Sequence, residues 1–410
     1  MNNSRVSALS HPDVLVAGAG AFGGWTALEL VRHGAKVALL DPWSPGHPRG
    51  TSSGETRVIR CSYGQREIYL RWARRSWKLW QQWERRWRVP IVTRCGVLWL
   101  LEDEAFFRPR LGTLRAHHIP CEFLSARELR RRYPQFRLRD ITCGYLESEA
   151  GFLRARLATQ LVAQEFLSQG DRGARARLLT AAALPPAGSG SRLQKISLSD
   201  GSAISAGSFV FACGPWLPRL FPELLARRIR VTRQEEFFFG TPAGDARFAA
   251  DQMPVWIEPG SDFYGIPVGG HTALKVADDR SGPPFDPTSG NRSVSAAKLH
   301  SVRNYLARRL PELARAPLVE SRVCQYERTP DAHLVVDRHA QYENVWIAGG
   351  GSGHGFKLGP ALGEVVAQMV LGGERPRRSA SRKADDRVPE MLLDGALWPA
   401  SGPAPKPTSY

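Results

Sequence analysis

At 410 residues the chain exceeds one typical domain, which predicts two domains with substantial cores. Its composition, 42% hydrophobic and 23% charged, is that of a globular enzyme, and its net charge of +17 comes largely from arginine runs such as Arg71, Arg74 and Arg75 or Arg130, Arg131 and Arg132. No helix-turn-helix, zinc-finger or RNA-binding signature accompanies that charge, so no nucleic-acid partner is expected and the basic field is read as attracting anionic small molecules. The six cysteines stand apart without CxxC pairs, which argues against a disulfide framework and a metal site and for a cytoplasmic protein. Residues 1–12 lack an apolar signal core and no apolar run could span a bilayer, so no membrane partner is expected.

Residues 1–12 read as a loose lead-in. Asp13–Ala17 predicts a buried strand, then come a glycine turn, a helix to about Gly34 and a second strand at Lys36–Leu40, together a β-α-β unit. From Glu67 to Arg88 one long helical pattern carries Tyr69, Trp72, Trp77, Trp80, Trp83 and Trp87, whose spacing marks a packing face rather than a substrate cage. Gly96–Glu102 predicts a strand opening a different region, Arg154–Gln169 a helix, and Ser208–Cys213 a short buried strand. Between Val231 and Val276 short strands follow one another as in an antiparallel sheet; Ser293–Leu310 is helical, Asn344–Ala348 is a last buried strand and Pro360–Leu371 a last helix. From about Glu374 the chain is rich in Arg, Lys, Pro, Ser and Ala, so 374–410 is expected to be a disordered tail in which Met391–Trp398 could dock locally.

This order predicts an α/β fold with α+β insertions. A Rossmann-type nucleotide-binding domain (1–92, 142–225 and 320–373) is interleaved with a mainly antiparallel substrate domain (93–141 and 226–319), and a ligand lies at the junction.

The first turn reads Gly18-Ala19-Gly20-Ala21-Phe22-Gly23. Gly18 permits the tight turn, Gly20 lets backbone approach a pyrophosphate, and Gly23 allows close helix–strand packing. The helix that follows offers free N–H groups and the positive end of its dipole to phosphates. Asp41 ends the second strand, where a carboxylate can bond a ribose hydroxyl pair. Strand, turn, helix, strand and acid together predict dinucleotide binding. The motif does not separate FAD from NAD, and Asp41 argues against NADP.

Three further blocks carry a family resemblance. They are Gly54-Glu55-Thr56-Arg57-Val58-Ile59-Arg60 followed by Tyr63-Gly64, Phe211-Ala212-Cys213-Gly214-Pro215-Trp216, and Gly349-Gly350-Gly351-Ser352-Gly353-His354-Gly355-Phe356-Lys357. With the first turn, they make residues 11–372 resemble the monomeric sarcosine oxidase and N-methyltryptophan oxidase group of the D-amino-acid-oxidase-like flavoproteins. Read from the residues alone, the late glycine turn is either a nest of N–H donors, suited to a phosphate or an electron-rich ring oxygen, or an ordinary strand-to-helix turn. The resemblance implies the former, with Phe22, Gly351, Gly353, His354, Gly355 and Phe356 joining Gly18, Gly20, Gly23 and Asp41 around FAD.

The resemblance implies roles for other residues. Cys324, by itself most simply a buried thiol, matches the cysteine that binds FAD covalently in those oxidases, in the context Arg322-Val323-Cys324-Gln325-Tyr326. Lys275, otherwise a strand-edge lysine, matches the lysine that promotes reaction with O2 at the flavin face. Arg57 matches a flavin-proximal arginine, Tyr264 and Tyr326 match pocket tyrosines, and Arg60 with Lys357 match the pair that holds a substrate carboxylate. Ser53 and Asp279 depart from the pattern, standing where the resembled oxidases carry histidines. Asp279 either pairs with a basic group on a larger substrate or makes a loop salt bridge.

The implied activity is a monomeric FAD-dependent oxidase of an amino acid or N-alkyl amino acid. It would oxidise a C–N bond to an imine by hydride transfer to flavin N5, reduce O2 to hydrogen peroxide, and need no metal. Two alternatives stand beside it: a flavin-dependent amine dehydrogenase with a non-oxygen acceptor, and an NAD-binding reductase or non-catalytic nucleotide-binding module.

Overall fold

The computed structural model describes residues 11–170, 175–268 and 273–372. The tail expected to be disordered, with Met391–Trp398, lies outside the described residues.

Strand Val14–Ala17 is apolar at every position because both its faces are covered, as in parallel sheets generally. It lies inside a six-stranded sheet ordered Val335–Arg338, Val345–Gly349, Ser208–Phe211, Val14–Ala17, Val37–Asp41, Ala176–Thr180. The strands are parallel except Val335–Arg338, which runs antiparallel along one edge. The late strand-glycine-helix segment thus returns to the first sheet, beside Ser208–Phe211. Helices Ala21–Arg32, Glu67–Trp87, Ala155–Gln169 and Gly359–Leu371 share one apolar core on a face of this sheet. The tryptophan stripe packs there: Trp25 meets Trp80 edge to face at 5.2 Å and Trp83 at 5.6 Å.

A second sheet has eight strands, ordered Leu318–Arg328, Arg230–Gly240, Ala273–Asp278, Phe263–Val268, Val255–Glu258, Val97–Leu101, Cys143–Glu147, Cys121–Ser125. It is antiparallel apart from the pair Val255–Glu258 and Val97–Leu101. Helix Ala296–Arg309, capped by the Ser295 hydroxyl, covers one face, where Phe237 and Phe239 point inward. Period-2 alternation turns Gln234, Glu236 and Phe238 to the opposite face. Cys143–Glu147 and Leu318–Arg328 pair in this sheet, although the expected nucleotide-binding segments 142–225 and 320–373 contain most or all of each strand. An apolar alternating run shows that a strand exists but not which sheet it joins, because partners are chosen by contacts far away in sequence.

A small sheet of Thr56–Ile59, Gly151–Arg154 and Val92–Thr93 carries Arg57. The loops after the parallel strands, at Gly18, Asp41, Gly214 and Gly350, all open at the carboxyl edge of the first sheet, the usual ligand edge of such folds.

Candidate active site

The first turn closes tightly around its glycines. Gly18 has φ of 101°, and a Cβ on it would lie 2.3 Å from the Ala212 carbonyl oxygen. A Cβ on Gly23 would lie 1.8 Å from the Gly18 carbonyl oxygen, so neither position accepts a larger residue without a backbone shift. The helix that starts at Ala21 has no cap of its own; the Ala21 N–H donates to Ser52 Oγ at 3.0 Å, from the following loop. Asp41 accepts the Ala19 N–H at 2.9 Å and the Trp43 N–H at 3.1 Å, which ties the strand end to the turn.

Three adjoining cavities run from this turn to the second sheet. The first, about 360 Å³, is lined by Gly18, Gly20, Asp41, Trp43 and Trp216 among others. A narrow one of about 80 Å³ shares Gly20, Thr51, Ser52, Ala212 and Gly214 with the first and adds Phe22, Glu327, Gly351 and Gly355. The third, about 740 Å³, shares Arg57, Tyr326, Gly353 and Phe356 with the second and adds Arg60, Tyr264, Lys275, Asp279, His354 and Lys357. Together they form one long trough that joins the two sheets.

At the wall of the largest cavity, Lys275 has no exposed surface, and its Nζ lies 2.8 Å from Glu236 Oε1. In the strand register Phe238 faces Lys275, so Glu236, two residues away, is its diagonal neighbour on the same face. The same carboxylate oxygen lies 3.2 Å from Arg57 Nη1. Burial pushes the Glu236 carboxyl upward, but Lys275 and Arg57 outweigh it and hold the group below its ordinary pKa. Arg57 also donates to the Thr51 carbonyl at 2.9 Å and to Cys324 Sγ at 3.4 Å. Burial raises the Cys324 pKa, and Arg57 opposes that rise. The Tyr264 ring lies 5.7 Å from Lys275 Nζ, and Tyr326 OH donates to Asp279 Oδ1 at 2.8 Å. Asp279 also takes part in the loop contact anticipated for it, since Arg328 donates to its carbonyl oxygen and approaches its carboxylate at 3.8 Å.

Arg60 and Lys357 face this cavity from another side. The Arg60 guanidinium lies 4.8 Å from the Tyr63 ring and 5.0 Å from the Trp99 ring, and donates to the Ser62 carbonyl. Lys357 Nζ donates to the His354 carbonyl at 2.8 Å and lies 5.3 Å from the Tyr63 ring. Burial and the neighbouring Arg60 hold the Lys357 pKa well below its ordinary value. Among the described residues neither cation has a salt-bridge partner, although both line a cavity. Trp80, from the tryptophan stripe, donates its indole N–H to the Lys357 carbonyl at 2.9 Å and so fixes the backbone that carries the ammonium.

The late glycine turn closes part of its backbone on itself and on the adjoining strand. Ser352 N–H goes to the Glu327 carbonyl at 3.0 Å and those of His354 and Gly355 go to the Gly351 carbonyl at 2.9 Å, while the backbone of Gly350 and Gly351 faces the Glu327 carboxyl and opposes the rise that burial gives its pKa. Gly351, Gly353 and Gly355 frame the narrow cavity by their lack of bulk, with the Phe356 side chain also on its wall; a Cβ on Gly353 would come within 2.9 Å of the Tyr326 ring. His354 places Nε2 2.8 Å from the Ala332 carbonyl oxygen, and burial together with Lys357 pushes its pKa down to about 3.

The trough thus gathers the anticipated residues except Gly23, which packs behind the turn, and Cys324, which sits beside Arg57. Sequence reasoning missed Glu236, Glu327 and Ser52. The signal for Glu236 was present as a charged residue inside the apolar run of RQEEFFFG, where a buried acid requires a partner.

A family model described as FAD dependent oxidoreductase matches residues 13–369. The chain is 29% identical over 371 residues to a monomeric sarcosine oxidase of Bacillus sp. (strain B-0618), covering 89% of this chain and 93% of that protein. It is 27% identical over 382 residues to an N-methyl-L-tryptophan oxidase of Salmonella enteritidis, covering 88% and 95%. The solved structure of L-proline dehydrogenase from P. horikoshii has the same fold, with a TM-score of 0.76 at 20% identity over 89% of this chain and 94% of that one. With that match spanning the turn, both sheets and the late glycine segment, the chain belongs to the FAD-dependent oxidoreductase family.

Proposed function

We propose that this chain oxidises the C–N bond of an amino acid or N-alkyl amino acid to an imine, with O2 as the final acceptor, and that it works as a monomer. The observation that carries the reading is the pair Arg60 and Lys357, two buried cations without a salt-bridge partner among the described residues, lining a cavity large enough for a ring and a substrate. Such a pair suits a carboxylate, which the arginine can hold through two parallel hydrogen bonds. The relatives' names, sarcosine oxidase and N-methyl-L-tryptophan oxidase, support a substrate of that class.

The trough fits FAD on its shape and chemistry. Gly20 leaves room beside Ser52, where a Cβ would come within 3.2 Å of the hydroxyl; Asp41 borders the first cavity; and the three cavities follow one another as an elongated dinucleotide requires. FAD, when bound, supplies the two-electron acceptor. The protein's own part is orientation and charge. Arg60 and Lys357 anchor the carboxylate, and Asp279, held by Tyr326, offers a negative group on the same cavity for the substrate nitrogen. The substrate loses two electrons and two protons, and dioxygen takes up both as hydrogen peroxide, with Lys275 lending positive charge to that step. We place the covalent link to FAD at Cys324, supported by Arg57 at 3.4 Å from Sγ.

One observation favours a second reading, a dehydrogenase with another acceptor. Lys275 is ion-paired with Glu236, and a neutralised cation attracts developing superoxide charge less well. The test is a panel of N-methyl, cyclic secondary and primary amino acids given anaerobically and then in air. Bleaching of the flavin followed by one peroxide per imine is the expected outcome. Bleaching without peroxide favours the dehydrogenase, and no bleaching by any carboxylate-bearing amine sinks both.

A further inference from the structure

Glu327 is a carboxylate placed in the narrow part of the trough, between the two glycine turns. It is 6% exposed and lines the same cavity as Gly20, Phe22, Gly214 and Gly351. A Cβ on Gly351 would come within 3.1 Å of its Oε1, so the carboxyl faces the backbone of the late glycine turn. Its Oε2 is buried beside Gly214 and has no hydrogen-bond partner among the described residues. A buried carboxylate oxygen without a partner is costly, and native proteins rarely keep one without a use for it.

The charge around it gives little relief. Arg57 lines the same cavity, Cys213 precedes the Gly214 turn, and the Gly349–Gly355 turn presents no charged side chain to it; Glu327 makes no salt bridge among the described residues. Burial alone pushes its pKa up to about 7, with the two glycine N–H groups opposing that rise. A diphosphate brought into this cavity adds like charge and drives the group further toward its neutral form. A neutral acid keeps one oxygen turned to the glycine backbone, and its O–H becomes a donor.

We propose that Glu327 is a protonated cofactor-binding acid, taking one proton from solvent as FAD enters and donating a hydrogen bond to an oxygen of the diphosphate–ribityl segment. This rests on the FAD reading above and assigns the residue a role that neither glycine turn supplies.

The experiment measures FAD dissociation constants from pH 6 to 9 by flavin fluorescence, on apoprotein carrying Cys324→Ala so that the cofactor exchanges freely. Proton uptake on FAD addition in weakly buffered solution at pH 8 is measured alongside. Affinity should be level up to about pH 7 and fall about tenfold per unit above it, with close to one proton taken up per FAD at pH 8. Glu327→Gln, which keeps an acceptor and gains a permanent donor, should bind with affinity independent of pH and take up no proton. If the Gln variant does not fold, proton uptake by the Glu327 parent decides alone. Tight binding without pH dependence or proton uptake in the parent overturns the inference while leaving the FAD reading intact. Equal pH dependence in the Gln variant also overturns it. Failure of the parent to bind FAD at any pH overturns both.

Discussion

The Lys275 ammonium and the Glu236 carboxylate meet at 2.8 Å with both side chains buried, and Arg57 reaches the same carboxylate oxygen at 3.2 Å. One anion therefore serves two cations at the wall of the largest cavity. Removing it leaves two like charges in a poorly solvated place. Glu236→Gln is expected to cost about 3–5 kcal/mol of stability, measured by urea unfolding, because the orphaned cations keep their desolvation penalty. Burial already lowers the Lys275 pKa and Glu236 opposes that, so the variant should lose the protonated lysine at lower pH. Under the oxidase reading, the pH profile of flavin reoxidation then shifts to lower pH. An unchanged profile together with unchanged stability would remove Glu236 from the working site.

Arg60 and Lys357 act on the substrate's carboxylate from two directions under the proposed reading. Lys357→Met keeps the length of the side chain and removes one charge-assisted contact of about 2–3 kcal/mol, so KM for carboxylate substrates should rise about 30- to 150-fold. An amine without a carboxylate should show little change. Equal effects on both substrates would mean that Lys357 organises the pocket and does not bind the carboxylate.

The first turn and the alternation of strands and helices were legible because their signals are local: Gly18, Gly20 and Gly23 are demanded by backbone contacts within one β-α-β unit and its neighbour at Ala212. The tryptophan stripe was legible as a packing face for the same reason. What could not be read were pairings between distant segments. Glu236 and Lys275 lie 39 positions apart and become neighbours only through strand register. Glu327 comes to lie against the turn at Gly351 because Leu318–Arg328 runs past it, and no spacing rule within either segment reports it. Lys357 was identified, but the support it receives from Trp80 was not, since a helical stripe says nothing about which carbonyl an indole will meet.

His354 supplies a pH-dependent stability term of definite sign. Burial and Lys357 hold its folded pKa at about 3, below its ordinary value of 6.5, so the unfolded chain binds the proton more readily. Its contribution is fully present above pH 6.5 and is lost as pH falls toward 3. At pH 5 the loss is about 2 kcal/mol, from 1.36 kcal/mol per unit. His354→Asn, which titrates nowhere in this range, should flatten that part of the acid limb when urea unfolding is compared at pH 7.5 and pH 5. A variant that loses as much stability on acidification as the parent would show that the imidazole titrates freely in the folded state.

Cys324 and Arg57 set up the remaining prediction. A thioether to FAD replaces one C–H bond of the cofactor, so two electrons would pass into the flavin and on to O2; the attacking group is the thiolate, which burial makes scarce by raising the Cys324 pKa. Arg57 Nη2, 3.4 Å from Sγ, is the group placed to stabilise the anion. Acid precipitation of the purified protein should therefore leave yellow colour in the pellet, and Cys324→Ala should release it to the supernatant. Arg57→Met should fold with its cofactor but form the link slowly, seen by mass spectrometry as a mixture of apoprotein and flavinylated masses that converts over time on incubation with FAD in air. Complete release of colour from the parent protein would make Cys324 a packing thiol and would leave Arg57 only its pairing with Glu236. Full flavinylation of Arg57→Met at the parent's rate would keep the link but assign the thiolate's stabilisation to Lys275, the other cation acting on Cys324.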